Sequence, residues 1–230
     1  MGRLLAPAGY ADRPRCASVN VTAVSWFACA FGFSVVDWYA VARQRRRLEY
    51  VCKPAAALAF LATAIALGPT HPTTRVWFCV ALVFCALGDV FLMLPRDAFV
   101  PGLASFLVAQ LCITVGNALI VTSWIALIVA AITVSLVAVP LAVRYLRALA
   151  RSDASGLVLP VLAYISAITA MVVTAAASGV VLAAVGAALF FTSDALIAET
   201  RFVGPRPGAP VAIMVTYHLA FAALVLSLAS

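Results

Sequence analysis

The sequence predicts an all-α fold, a polytopic bundle of eight transmembrane helices, and three observations lead there. The 230 residues are 66% apolar and only 10% charged, with a mean hydropathy of +1.13, against roughly 45–50% apolar and about 25% charged in a soluble domain. The apolar residues fall in unbroken runs such as Val121 to Leu141, whereas a membrane β-barrel needs alternating segments of about ten residues. Eight spans of about 20 residues would use about 160 positions, close to the whole apolar content, so little remains for a separate domain.

Breaks at charge, Pro and Gly clusters place the spans near 21–41, 51–68, 75–95, 99–117, 121–143, 156–176, 179–199 and 209–229. The expected organisation is an N-terminal tail over 1–20 and a transmembrane domain over 21–230. The tail carries Arg3, Arg13 and Arg15 but no apolar core of the kind a cleavable signal needs, so the first span is expected to direct insertion. The second span opens on Lys53-Pro54, and proline suits a first helical turn because its missing N–H has no partner to lose there. The remaining connections are short, so any function must lie inside the bundle.

Orientation follows from the distribution of Lys and Arg. The side reached after the first span holds eleven of them (Arg43, Arg45, Arg46, Arg47, Lys53, Arg96, Arg144, Arg147, Arg151, Arg201, Arg206), and the other side four (Arg3, Arg13, Arg15, Arg75). The positive-inside rule then puts both termini outside the cytoplasm. Trp26, Trp77 and Trp124 near the outer span ends, with Trp38, Tyr39 and Tyr145 near the inner ones, match interfacial belts. The net charge of +7 is a rim of arginines at span ends rather than a stripe, which argues for a membrane surface and against nucleic acid. The six cysteines show no CxxC or Cys/His spacing and read as packed thiols.

Ionisable residues inside a span cost about 2.5–3.5 kcal/mol each and normally face protein or water, marking a functional site. Asp89 and Asp194 each lie about two-thirds along an odd-numbered span, and so at one depth. Even-numbered spans bring Lys53, Ser105, Gln110, Tyr217 and His218 toward the same inner level. Small residues flank both acids (Gly88, Cys85 and Ala81; Ser193, Ala187 and Gly186), permitting close helix approach. The alternative is a pair of buried carboxyls acting only as hydrogen-bond glue. Asp37, beside Trp38 and Tyr39, reads either as a third buried acid or as an interfacial residue facing Arg43 or solvent. Lys53 reads either as a snorkelling lysine or as a group reaching toward the acids or a lipid phosphate. His218 reads as a hydrogen-bonded packing residue, and with His71 in a loop no metal site is expected. The two acids lie four spans apart, each followed by a phenylalanine (Phe99, Phe202), as a four-plus-four internal duplication would produce.

Taken in order, Lys53-Pro54, Gly88-Asp89 with Leu92, Phe99, Gly102 with Ser105-Phe106-Leu107, Tyr164, Gly186 with Phe190, Ser193-Asp194, Phe202 and Met214 through Tyr217 resemble the YhhN family of integral membrane proteins, which includes the lysoplasmalogenases. Two positions depart from its usual pattern: Gln110 stands where His is commoner, and His218 where an aromatic is. The resemblance implies a hydrolase, multi-pass in a bacterial cell membrane, that cleaves the vinyl-ether bond of a lysoplasmalogen to a fatty aldehyde and a glycerophospho-base. It implies that Asp89 and Asp194 are catalytic. Lys53, Ser193, Tyr217, Gln110, Ser105, Tyr164 and His218 would bind or orient the substrate, a lysophospholipid met in the bilayer toward the cytoplasmic leaflet.

Such a bond hydrolyses by protonation of the β-carbon, giving an oxocarbenium ion that water captures. Two buried carboxyls, one protonated and one ionised, supply the acid and the stabilising charge, much as carboxyl pairs do in glycosidases. No metal or organic cofactor is expected. The competing reading is a proton- or lipid-coupled transporter using the same acids. Pro140 and Pro160, the intrusive mid-span prolines, fall in neither acid-bearing span. HExxH, GxSxG and P-loop signatures are absent.

Overall fold

The computed structural model describes residues 21–94, 98–152 and 155–230. The tail over 1–20, with Arg3, Arg13, Arg15 and Cys16, lies outside the described residues, as does Arg96. The described residues form eight helices long and apolar enough to cross a membrane. They are α1 (Val21–Ala42), α2 (Arg46–Ala66), α3 (Pro72–Met93), α4 (Phe99–Ala118), α5 (Trp124–Ala150), α6 (Val158–Ala177), α7 (Val181–Ala198) and α8 (Ala209–Leu226). A π turn, Glu199–Val203, continues α7.

Local chemistry accounts for several boundaries. Pro72 opens α3 at a position that needs no N–H. Ser123 caps α5, its hydroxyl accepting the Ala126 N–H at 3.2 Å. Gly208, with φ +77°, takes the left-handed turn that leads into α8. Two helices outrun their apolar segments. α2 starts at Arg46 rather than near residue 51, which leaves Pro54 inside the helix and Lys53 about 10 Å from the helix start. α5 continues to Ala150, well past the expected end at 143. Hydropathy marks where hydrocarbon ends, whereas backbone hydrogen bonding carries a helix on into the headgroup region.

Seven helices close a ring in the order α1, α2, α3, α4, α6, α7, α8 and back to α1. α2 also meets α8 across it, while α5 lies outside, packed on α6 and the π turn. Phe60, Phe190, Phe221 and Met171 fill the interior with no exposure. Glycine sets two helix contacts. A Cβ on Gly88 would stand 2.7 Å from the Phe106 ring, and one on Gly186 2.9 Å from the backbone nitrogen of Leu224. The close approach expected beside both acids is therefore present, between α3 and α4 and between α7 and α8.

A shift of four helices maps much of this packing onto itself. The pairs α1·α2, α2·α3 and α3·α4 recur as α5·α6, α6·α7 and α7·α8, and α4·α6 corresponds to α8·α2. The correspondence stops at α1·α8, which has no counterpart as a packed pair of α4 and α5.

Candidate active site

Each aspartate sits in its own polar cluster, built from three helices. Asp89 on α3 is buried; Lys53 Nζ from α2 lies 3.2 Å from its Oδ1. Tyr217 Oη from α8 donates to its Oδ2 at 2.8 Å. Lys53 is itself 6% exposed, so its charge is committed to Asp89 and does not reach the headgroup region. Asp194 on α7 has no cation beside it. Its Oδ2 accepts from Tyr164 Oη of α6 at 2.6 Å and from Gln110 Nε2 of α4 at 3.1 Å, and among the described residues no hydrogen bond reaches Oδ1.

The two carboxylates do not hydrogen-bond to each other. Between the clusters, Phe106, Phe190 and Tyr217 pack edge to face, with ring centroids 5.6–6.3 Å apart. Cys85, wholly buried one turn before Asp89, interacts electrostatically with both acids. In place of two acids facing each other across one common pocket, the structure holds two separate clusters with an aromatic wall between them.

One cavity of about 70 Å³ reaches this region, partly open on one side. Its lining residues are apolar (Leu92, Phe99, Leu103, Phe106 and Ile168 among others) apart from Asp194, Tyr164 and Tyr145. Asp89 does not line it. α4 and α5 both contribute lining residues without forming a packed pair. The cavity has room for a small reacting group and a water.

The other expected residues are placed as follows. Ser193 donates to the Ile213 carbonyl at 3.1 Å, tying α7 to α8, and Ser105 donates to Pro101 of its own helix at 3.0 Å. Neither hydroxyl donates to an aspartate. His218 is buried and accepts at Nδ1 from Trp38 Nε1 at 3.0 Å, so it is the hydrogen-bonded packing residue expected, with Nε2 unpartnered. Asp37 is fully buried rather than interfacial, and neither of its oxygens has a partner. It shares the electrostatic neighbourhood of Lys53 and Asp89. Cys29, Cys52, Cys79, Cys85 and Cys112 are free thiols.

A feature the sequence did not single out adjoins the cavity-lining residues Tyr145, Ala198 and Phe202. Glu199, buried in the π turn, accepts from Arg144 of α5 (Nη2 to Oε1 2.7 Å, Nε to Oε2 3.0 Å) and from Arg206 (Nη2 to Oε1 2.6 Å, Nε to Oε1 3.2 Å). The guanidinium of Arg201 lies 3.8 Å over the ring of Phe99, which packs on Phe202, and both rings line the cavity. An acid five residues beyond Asp194 in an arginine-rich segment was the available signal. Among the described residues, no three His, Cys, Asp or Glu side chains come together to hold a metal ion.

Comparison with known proteins agrees with this architecture. The model of the YhhN family matches residues 48–228. Proteins named lysoplasmalogenase from Mycobacterium bovis and Mycobacterium tuberculosis are each 33% identical over 173 residues, 72% of this chain. The match spans 65% of the length of those curated relatives. No solved structure matches.

Proposed function

The chain belongs to the YhhN family, and from that membership we propose that it is a membrane hydrolase cleaving the vinyl-ether bond of a lysoplasmalogen to a fatty aldehyde and a glycerophospho-base. The observation that carries the reading is the Asp194 carboxyl: it opens on a small apolar cavity, is held through one oxygen by two neutral donors, and lacks a counter-ion. Lysoplasmalogenase-named relatives support the substrate class.

The chemistry divides the two acids. A buried anion without a partner is costly, so Asp194 is the carboxyl that keeps its proton, on the Oδ1 left free by Tyr164 and Gln110. It transfers that proton to the β-carbon of the vinyl ether, and positive charge develops on the adjoining carbon and oxygen. The Asp194 carboxylate formed in this step stabilises the oxocarbenium ion and takes a proton from the attacking water. The hemiacetal then collapses to aldehyde and glycerol hydroxyl, and Asp194 ends protonated as it began. Asp89, neutralised by Lys53, does not meet the substrate. Through Tyr217 it fixes the wall on which Phe106 packs, and it acts as a positioning residue. General acid catalysis of this kind contributes about 10²–10⁴-fold.

An apolar cavity with a single carboxyl in its lining suits a lysolipid whose glycerol end reaches Asp194. The excess of Lys and Arg on the cavity side supports a site in the cytoplasmic leaflet with both termini outside.

The test is aldehyde release by purified protein in a phosphate-free detergent. Alkenyl lysolipid should be turned over, acyl lysolipid should not, and Asp194→Asn should abolish the signal. Turnover of acyl substrate alone would make the protein a lysophospholipase. Turnover of neither would return the acids to the proton-coupled transport reading.

A further inference from the structure

The cations suited to receiving a lipid phosphate are not the one singled out from sequence. Lys53 is sealed against Asp89, whereas the side chains of Arg144 and Arg206 are 49% and 58% exposed, and both pair with Glu199, which adjoins the cavity-lining Ala198. Both guanidiniums present the same edge, Nε and Nη2, to Glu199. That leaves the Nη1 donors of each pointing away from the acid, in side chains whose torsional freedom the ion pairs have already removed. One carboxylate between two guanidiniums gives a net charge of +1, complementary to a phosphodiester.

Depth and spacing agree. Arg144 lies about 30 Å along α5 from Trp124 at 1.5 Å per residue, roughly the thickness of the hydrocarbon core, so its guanidinium stands at the level of lipid phosphates. Glu199 lies about 7.5 Å along the helix beyond Asp194, comparable to the length of a glycerol unit joining an ether oxygen to a phosphate. Phe99 and Phe202, which pack on each other and line the cavity, carry it toward this segment, with Arg201 over the Phe99 ring. The π turn that carries Glu199 is an uncommon element that recurs at functional sites.

We propose that Arg144 and Arg206, clamped on Glu199, form the subsite for the phosphodiester of a lysophospholipid whose glycerol end enters the cavity beside Asp194. The inference rests on the hydrolase reading for the orientation of the lipid, but binding alone tests it. The arginines select phosphate-bearing lysolipids over neutral monoalkyl glycerols and set the register that brings the ether to the acid. Arg144 and Arg206 are binding residues, and Glu199 is a positioning residue that acts through them.

The experiment uses the full chain in dodecyl maltoside with two ligands whose saturated ethers cannot be hydrolysed by β-carbon protonation, 1-O-hexadecyl-glycerophosphocholine and 1-O-hexadecylglycerol. Calorimetry should show the phosphocholine binding about tenfold more tightly, the factor a charge-assisted hydrogen bond supplies. Arg144→Gln and Arg206→Gln should each erase most of that difference while leaving 1-O-hexadecylglycerol unchanged, which also reports that the variant is folded. Arg144→Lys should keep part of the preference, and Arg147→Gln, on the exposed face of the same helix, all of it. Equal binding of the two ligands by the unaltered protein, or a preference that survives Arg144→Gln with Arg206→Gln, overturns the proposal. So does displacement of the lysolipid by millimolar inorganic phosphate, which would mark a free-phosphate site. Selective binding without aldehyde release from an alkenyl lysolipid would sink the hydrolase reading and leave this subsite standing.

Discussion

Asp89 on α3 and Asp194 on α7 stand four helices apart, and the helices that supply their partners are related by the same shift. Under a shift of four helices α3 becomes α7, α2 becomes α6 and α8 becomes α4, so that Lys53 and Tyr217 around Asp89 fall onto Tyr164 and Gln110 around Asp194. Each acid is held by the second helix of its own half and the fourth helix of the other half. The places match while the chemistry differs, because one site holds a lysine where the other holds a tyrosine. That single difference makes Asp89 half of an ion pair and leaves Asp194 without a counter-ion beside the cavity.

Asp194→Asn should lower aldehyde release by at least about 10²-fold with little change in stability, since the amide keeps the shape but has no acidic proton to give. Tyr164→Phe should reduce kcat about tenfold and leave KM within twofold, as it removes a donor to Oδ2 and keeps the ring that lines the cavity. Steady-state kinetics on both variants checks the pair. A Tyr164→Phe enzyme with unchanged kcat would show that the hydroxyl does not orient the acid.

Breaking the buried pair from one side should be far worse than removing both partners. Lys53→Met alone leaves Asp89 without a counter-ion and should destabilise by about 3–5 kcal/mol, whereas Lys53→Met with Asp89→Leu should recover most of that loss. Denaturant unfolding in mixed micelles measures the cycle. Additive losses would mean that the 3.2 Å contact has no coupling energy.

Asp37 buries two oxygens without partners on α1. Asp37→Val, close to it in volume, should therefore raise stability, by about 1–3 kcal/mol if the desolvation cost of the carboxyl is relieved. Thermal unfolding followed by tryptophan fluorescence reads this, and a lowered midpoint would reveal that Asp37 supports its neighbours Lys53 and Asp89.

Gly186→Ala should destabilise by about 1–3 kcal/mol and reduce activity, because the added Cβ meets backbone atoms of Leu224 and Ala220 that cannot move aside. Gly32→Ala, with nothing within 4 Å of the new atom, should leave both properties alone. Equal behaviour of the two variants would remove the case for close packing of α7 on α8.

The glycine beside Asp89 and the small residues around Asp194 were legible as contact positions because membrane helices approach only where side chains are small, and that rule acts within one helix. The roles of Ser193 and Ser105 were not legible. Whether a hydroxyl meets an acid or a carbonyl depends on which helix stands opposite, and hydropathy carries no information about that. The same holds for Trp38 and His218, whose bond joins the first helix to the last.

By itself the sequence determined the number of spans and that Asp89 lies inside the bundle, since each follows from the cost of moving a polar group into hydrocarbon. Only the tertiary structure decided which cation belongs to which acid. Lys53 closes on Asp89 because α2 packs beside α3, leaving Asp194 to neutral donors from α4 and α6. Arg144, distant from Glu199 in sequence, reaches it because α5 lies outside the ring against the π turn. Pairing across a bundle is set by which helices pack together, a long-range choice that no local pattern of residues contains.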